Sequence, residues 1–206
     1  MRRKLTSLLR HPLLLGLLGA VALSVALAVW KPGMEAPEEE MYVLPPPGAP
    51  LDFSSLPNFH RVTDDLCRGA QPSYKGFGEL KRMGIKTVVN LRWTRTDRRS
   101  AERFGLAYEH LPIRDLRGDV GHALSVLKII TDKKRCPVFV HCLNGADRTG
   151  FICAAYRVVV CGWDKEAAIR EMKDSRFGAD VDFGPMPDRI RAMDVPAIRK
   201  RLGLAP

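Results

Sequence analysis

Residues 141–150 read His141-Cys142-Leu143-Asn144-Gly145-Ala146-Asp147-Arg148-Thr149-Gly150, a thiol and a guanidinium with five residues between them and a hydroxyl directly after. An apolar run from Pro137 to His141, read as a short strand, precedes them, and Phe151 to Val160, read as an apolar helix, follows. A loop in that place can aim its backbone N–H groups and the positive end of a helix dipole at one point, which makes an anion site. Arg148 can hold two oxygens of a phosphate in a bidentate fork. Cys142 lies in the same positive field, which favours a nucleophilic thiolate. Thr149 is within reach to donate its hydroxyl to the sulfur and ease its departure as a leaving group. Gly145 permits the tight wrap that side chains would forbid. The chemistry indicated is displacement at phosphorus, with Leu143, Asn144, Gly145, Ala146, Asp147 and Arg148 around the anion. Five intervening residues suit a phosphate-sized anion, which disfavours a sulfurtransferase.

The elements that must position this loop alternate in type. Leu66 to Gly69 reads as a short strand ending at Gln71-Pro72-Ser73. Tyr74 to Met83 has Phe77, Leu80 and Met83 at helical spacing, with Gly84 where a C-cap glycine would sit. Ile85 to Leu91 has buried-strand composition, and Leu106 to Leu111 is another strand. Asp97 to Phe104 reads as a charged surface helix. Val120 to Thr131 places Ala123, Leu124, Leu127, Ile130 and Thr131 on one face, and Asp164 caps a helix running through Met172. Strands separated by helices predict an α/β fold with a mostly parallel central sheet flanked by helices. Residues 176–206 predict short terminal helices. Trp93 and Trp163 are read as packing residues, and Cys153 and Cys161 as small core residues. His60, His110 and His122 stand alone, with structural or solvent roles as the default reading.

The ten-residue motif resembles the signature of the cysteine-dependent protein tyrosine phosphatases. Upstream, Arg68-Gly69-Ala70-Gln71-Pro72-Ser73 and the stretch from Leu80 to Arg92 are similar to the opening of small atypical dual-specificity-like phosphatases, especially bacterial ones. The resemblance covers roughly residues 58–175. It implies a compact α/β phosphatase domain and a phosphocysteine intermediate, with Cys142 as nucleophile, Arg148 as phosphate clamp, Thr149 beside the sulfur and His141 supporting the loop. It also implies a general acid on a separate loop. Asp115 is the expected acid, with Asp119 and Asp147 as alternatives. Asp147 directly precedes Arg148, a position that is acidic in myotubularin-type lipid phosphatases and some secreted bacterial phosphatases. Its other reading is a carboxylate that only holds the loop's shape, because a carboxylate beside a bound dianion is costly unless protonated or turned away. Phosphoinositide-directed relatives often carry Lys in the loop, where this chain has Leu143, Asn144 and Ala146. Arg92, Arg95, Arg98 and Arg99 form a basic run, read as a solvated helix face, with contact to a polyanionic substrate as the alternative. Arg68 and Arg92 are candidate supports of the site from behind.

The chain has 206 residues, 33 Lys/Arg, 23 Asp/Glu and a formal charge of +10. Residues 1–50 carry five of those bases and four of those acids, so the remainder keeps about +9. Such a field attracts phosphate esters, nucleic acid or acidic lipid alike. Basic charge without interleaved aromatics disfavours nucleic acid. Five cysteines are too few for a disulfide scaffold, and without Cys-x2-Cys spacing they predict no metal site. The thiol mechanism needs no cofactor.

Leu13 to Trp30 is uncharged and would span ~27 Å as a helix, about one hydrocarbon thickness. Its basic flank predicts residue 1 in the cytoplasm, and Ala26-Leu27-Ala28 offers an alternative signal cleavage pattern. Residues 1–30 are therefore read as an apolar helix, either an anchor or a signal. Residues 31–57 are read as a Pro/Glu-rich linker and 58–206 as the phosphatase domain. That domain would lie outside the cytoplasm, membrane-anchored through residues 13–30 or secreted if the segment is cleaved, with Cys142 open to oxidation there. The expected activity is hydrolysis of phosphate monoesters, most directly phosphotyrosine, phosphoserine or phosphothreonine in proteins. The alternatives are phosphoinositides or inositol phosphates as substrates, and a non-catalytic phosphate-binding module.

Overall fold

The computed structural model describes residues 42–93, 97–114, 119–178 and 183–205. Apart from Tyr42, these fall in one compact unit, Val43–Pro206. The apolar run at 13–30 lies outside the described residues. Among those that are described, no helix is long and apolar enough to cross a membrane.

Five short strands form one sheet: β1 (His60–Arg61), β2 (Leu66–Gly69), β3 (Thr87–Asn90), β4 (Ala107–His110) and β5 (Val138–His141). The order is β1-β2-β5-β3-β4, with β1 antiparallel to β2 and all other pairs parallel. A parallel sheet must be covered on both faces, and the strand residues divide accordingly. Leu66, Val89, Val138 and Val140 pack with α3 (Val120–Thr131), α4 (Asp147–Val159), α5 (Lys165–Met172), α6 (Met186–Arg191) and α7 (Val195–Leu202). Cys67, Val88, Phe139 and Tyr108 pack on the opposite face with Phe77 and Leu80 of α1 (Tyr74–Arg82) and Ala101 of α2 (Arg98–Arg103).

The central strand is β5, paired in register with β2 (Gly69 opposite His141) and with β3 (Asn90 opposite His141). The chain segments that leave β2, β3 and β5 therefore emerge side by side at the carboxyl edge of the sheet, where open α/β sheets bind ligands. The helix after the motif begins at Asp147, four residues before the apolar run that predicts it, so the Arg148-Thr149 pair belongs to its first turn.

Phe53–Ser55 forms a 3-10 turn and Leu56 is buried, so residues placed in the 31–57 linker by composition pack into this unit. The turn supports the chain after β2: the carbonyl of Pro57 accepts from Ala70 N at 2.9 Å, and that of Ser55 accepts from Ser73 N at 3.1 Å. Helix α1 crosses it at Gly76, where a Cβ would overlap the Ser55 carbonyl oxygen, 3.1 Å from both Leu56 Cδ2 and Pro72 Cβ. Gly76→Ala is expected to destabilise the fold by about 1–3 kcal/mol through this overlap, read from the urea unfolding midpoint.

Candidate active site

The loop between β5 and α4 owes its shape to where its carbonyls go. The Cys142 carbonyl accepts from His141 Nδ1 at 3.0 Å, and the Leu143 carbonyl from Gln71 N at 3.0 Å. Asn144's carbonyl accepts from Asn58 Nδ2 at 2.8 Å, and Gly145's from Arg68 Nη2 at 2.7 Å. Ala146's carbonyl accepts from Gly150 N at 2.6 Å and from Arg68 Nη2 at 3.4 Å. A planar trans peptide points its N–H opposite to its C=O. With five successive carbonyls drawn outward, the N–H groups of residues 143–147 converge on the other side. Among the described residues these N–H groups donate to no protein acceptor. Such a concavity of amides at a helix N-terminus is a built anion cradle.

Gly145 allows the wrap. Its φ is +71°, and a Cβ there would lie 2.6 Å from Ala70 N and Gly69 O. Arg68, 1% exposed, stands on β2 under the loop with its guanidinium 3.9 Å from the centre of the Phe177 ring. Asn58 ties the same two regions together, since its Nδ2 also donates to the Phe177 carbonyl at 3.2 Å.

Cys142 is fully buried at the end of β5, and its Sγ donates to Asp147 Oδ1 at 3.7 Å. The other oxygen of Asp147 is 3.6 Å from Arg148 Nε. Asp147 thus stands between the thiol and the guanidinium, where an incoming anion would meet it. Thr149 Oγ1 is buried beneath the loop without a hydrogen-bond partner among the described residues. Leu143 is half exposed at the rim.

The three carboxylates singled out as acids have different settings. Asp115 lies outside the described residues. Asp119 is the N-cap of α3, accepting from His122 N at 2.9 Å and pairing with the His122 ring at 2.8 Å. The His122 backbone bond, only partly opposed by burial, holds its carboxyl below the usual range. That setting suits a cap better than a proton donor. Of the two that are described, Asp147 touches the thiol.

On the α1/α2 side of the sheet lies a polar cluster whose centre composition did not reveal. Asp97, expected on a charged surface helix, is 3% exposed. Its Oδ1 accepts from Asn90 Nδ2 at 2.5 Å and Tyr108 Oη at 2.7 Å. Its Oδ2 accepts from Gln71 Nε2 at 3.3 Å and lies 3.0 Å from His141 Nε2. That last oxygen is off the ring N–H axis, so the contact is close without being an aligned hydrogen bond. Arg92 joins the cluster by donating to Gln71 Oε1 at 2.6 Å, while Arg95 lies outside the described residues. The one sequence signal for the cluster is Asn90, a polar residue closing a buried apolar strand.

Other expectations have mixed outcomes. Trp93 and Trp163 pack at the surface, each exposed on one side and carrying a guanidinium on its ring, Arg114 at 3.8 Å and Arg157 at 4.3 Å. Cys153 is buried, but Cys161 is exposed. His60 and His110 do take structural roles, His60 with Asn58 and His110 with the Arg92 carbonyl.

Two outcomes follow from this geometry. Gly145→Ala must push the loop off Gly69 and Ala70, and a displacement of ~1 Å costs about 100-fold in turnover; phosphate affinity falls with it, measured by calorimetric titration. The second concerns acid. Burial alone would raise the Asp97 carboxyl, but the His141 contact and charge, with the Tyr108 and Gln71 hydrogen bonds, outweigh it and hold the value at about 2, below the ordinary 3.8. A depressed carboxyl stabilises the fold above its unfolded value and loses that contribution as pH falls through its folded value. Between pH ~4 and ~2 the loss is about 2 kcal/mol. Urea unfolding across that window shows it, and Asp97→Asn removes that share of the slope.

Residues 53–181 match a family model described as a DSP-PTPase phosphatase fused to NAD+ kinase. The dual specificity protein phosphatase TpbA of Pseudomonas aeruginosa is 36% identical over 143 residues, covering 69% of this chain and 65% of TpbA. The match thus spans just under two thirds of that relative's length. Inositol diphosphatase DSP5 of Arabidopsis thaliana is 25% identical over 146 residues, 61% of this chain and 70% of DSP5. Among solved structures, P. aeruginosa TpbA with a cysteine-to-serine substitution, in complex with phosphotyrosine, superposes with a TM-score of 0.65 at 32% identity. It covers 76% of this chain and 96% of that one. The amide cradle with its buried thiol, the parallel sheet that presents it and these relatives agree, and the chain belongs to the dual-specificity-like protein tyrosine phosphatase family.

Proposed function

We propose that the chain hydrolyses phosphate monoesters of the phosphotyrosine type through a phosphocysteine intermediate. The observation that carries this reading is the set of five outward-bonded carbonyls from Cys142 to Ala146, which leaves the thiol at the foot of a converging array of N–H groups. The Cys142 thiolate attacks phosphorus while the ester oxygen leaves with a proton from Asp115. Arg148 and the loop amides take the charge on the equatorial oxygens. Water then attacks the phosphocysteine, giving up a proton to the same carboxylate, and sulfur departs as thiolate; the Thr149 hydroxyl, without a partner among the described residues, is the donor we assign to it. Asp147 is the second candidate for the proton transfers, because it touches the sulfur.

The mouth of the cradle favours an aryl phosphate. Loop positions 143, 144 and 146 are uncharged, Leu143 is 50% exposed, and Trp93 is 55% exposed on the segment that leaves the neighbouring strand β3. An apolar and aromatic rim suits a phenyl ring, whereas a polyphosphorylated ring calls for cations at those positions. The inositol diphosphatase among the relatives and the basic charge of the chain support inositol phosphates as the second reading. We read residues 13–30 as a tether or signal that places the domain outside the cytoplasm. Fractionation of the full chain separates the two, since a tether stays in the membrane pellet and a cleaved form is soluble.

Phosphate release by the full chain under reducing conditions tests the activity. The panel holds an aryl phosphate, phosphotyrosine and phosphothreonine peptides, a soluble phosphoinositide and an inositol pyrophosphate. The phosphotyrosine peptide is expected to give the highest kcat/KM. Cys142→Ser is expected to lose about 10⁴-fold or more in kcat, and Asp115→Asn about 100-fold. A rate unchanged in Asp115→Asn but lowered in Asp147→Asn moves the acid to Asp147. Turnover that survives Cys142→Ser contradicts the thiol mechanism. Phosphate binding without turnover on any substrate leaves a binding module.

A further inference from the structure

Arg68 is 1% exposed, and a guanidinium keeps its charge in a protein. A buried cation is ordinarily paired with a carboxylate, because an uncompensated charge is costly away from water. Among the described residues Arg68 has no such partner. Its Nη2 donates to the carbonyls of Gly145 at 2.7 Å and Ala146 at 3.4 Å, its guanidinium lies on the Phe177 ring, and its buried Nε meets no acceptor.

The described carboxylates around this core are matched to other guanidinium groups. Asp174, three residues before the ring, takes Arg176 on both oxygens at 3.0 and 2.9 Å, and Glu171 takes Arg157 at 2.8 and 2.9 Å. Asp147 lies 3.6 Å from Arg148 Nε. The His60 ring, edge-on to Phe177, adds no anion, and burial and then the Arg68 charge lower its pKa. Arg68 is thus a cation left over, and it is aimed at the loop. The carbonyls it holds belong to the peptides whose N–H groups, those of Ala146 and Asp147, face the cradle. A cation bonded behind a peptide polarises it and makes its N–H a stronger donor.

We propose that Arg68 is a second cation of the phosphate site, a positioning residue that strengthens binding in proportion to the charge of the ligand. It acts through the 145–146 and 146–147 peptides without touching the ligand, and the bound anion is its counter-charge. Because Asp147 opposes Arg148, the excess positive charge of the cradle comes from beneath the loop. The inference rests on the reading of that loop as a phosphate site, but its test needs no turnover.

Tungstate and perrhenate are tetrahedral oxyanions of similar size that carry two charges and one. Calorimetric titration of the full chain at pH 7.5 compares their affinities in wild type, Arg68→Gln and Arg68→Lys. An attraction proportional to ligand charge requires Arg68→Gln to lose about tenfold for perrhenate and about 100-fold for tungstate. The ratio of the two affinities then falls about tenfold, whereas a loop that is merely loosened weakens both alike. Arg68→Lys keeps the charge without the fork and is expected to hold the ratio within about threefold of wild type. A ratio unchanged in Arg68→Gln overturns the proposal, as does an equal fall in Arg68→Lys. Wild type that binds neither oxyanion removes the phosphate site and this role with it; binding of both with an unmoved ratio removes only the role. Should the variants fail to fold, ¹⁵N-resolved arginine side-chain spectra of wild type decide. The Arg68 Nε–H resonance is expected to shift about twice as far with saturating tungstate as with perrhenate, and equal shifts, or none, overturn the proposal.

Discussion

The constraint on which the site depends is the antiparallel setting of C=O and N–H across a trans peptide. Drawing the carbonyls of residues 142–146 outward forces the amides inward, so the loop gains one polar face for anions and another bonded to the protein. Three of the donors that draw the carbonyls outward, Asn58, Arg68 and Gln71, come from distant parts of the chain, while His141 and Gly150 are local. Each is buried or fixed by a second contact. Arg68 rests on Phe177, Asn58 bonds the Phe177 carbonyl, and Gln71 is held by Asp97 and Arg92. The anion site is therefore a property of the whole sheet edge rather than of ten residues. The close approach of Gly145 to the Gly69–Ala70 backbone is what lets the donors on β2 and its turn reach the loop.

The sheet separates two kinds of support. On the α4 face, Arg68 stands beneath the carbonyls of Gly145 and Ala146. On the α1/α2 face, His141 and the cluster around Asp97 hold the carbonyls of Cys142 and, through Gln71, Leu143. Cys142 lies where the two meet, at the end of the central strand. Its thiol now faces the Asp147 carboxylate, a contact that an incoming phosphate dianion must displace or protonate.

Much of this was legible in the sequence because it depends on local order. The strand-loop-helix setting of Cys142 and Arg148 follows from apolar runs on either side of a polar loop, and α3 spans Val120–Thr131 as its periodicity predicts. The cap at Asp164 is likewise local, its carboxylate accepting from Ala167 N at 3.0 Å. Features that depend on contacts distant in sequence were not legible. Asp97, among arginines, reads as a solvated cap until β3, β4 and β5 enclose it. Asp119 has the spacing of a proton donor, but its carboxylate is occupied by His122. Trp93 has the composition of a core residue, and only the fold places it outside under Arg114. Helix α4 starts four residues before its apolar pattern because its first turn serves the cradle rather than the core.

In the proposed reaction Cys142 carries the phosphoryl group between the two half-reactions. Rapid mixing of the full chain with a phosphotyrosine peptide, denaturing quench within the first turnover and mass spectrometry of the peptide containing Cys142 test it most directly. A phosphoryl group on Cys142 is expected to appear before inorganic phosphate and to decay as phosphate is released. Phosphate released at the full rate with Cys142 unmodified throughout would contradict it.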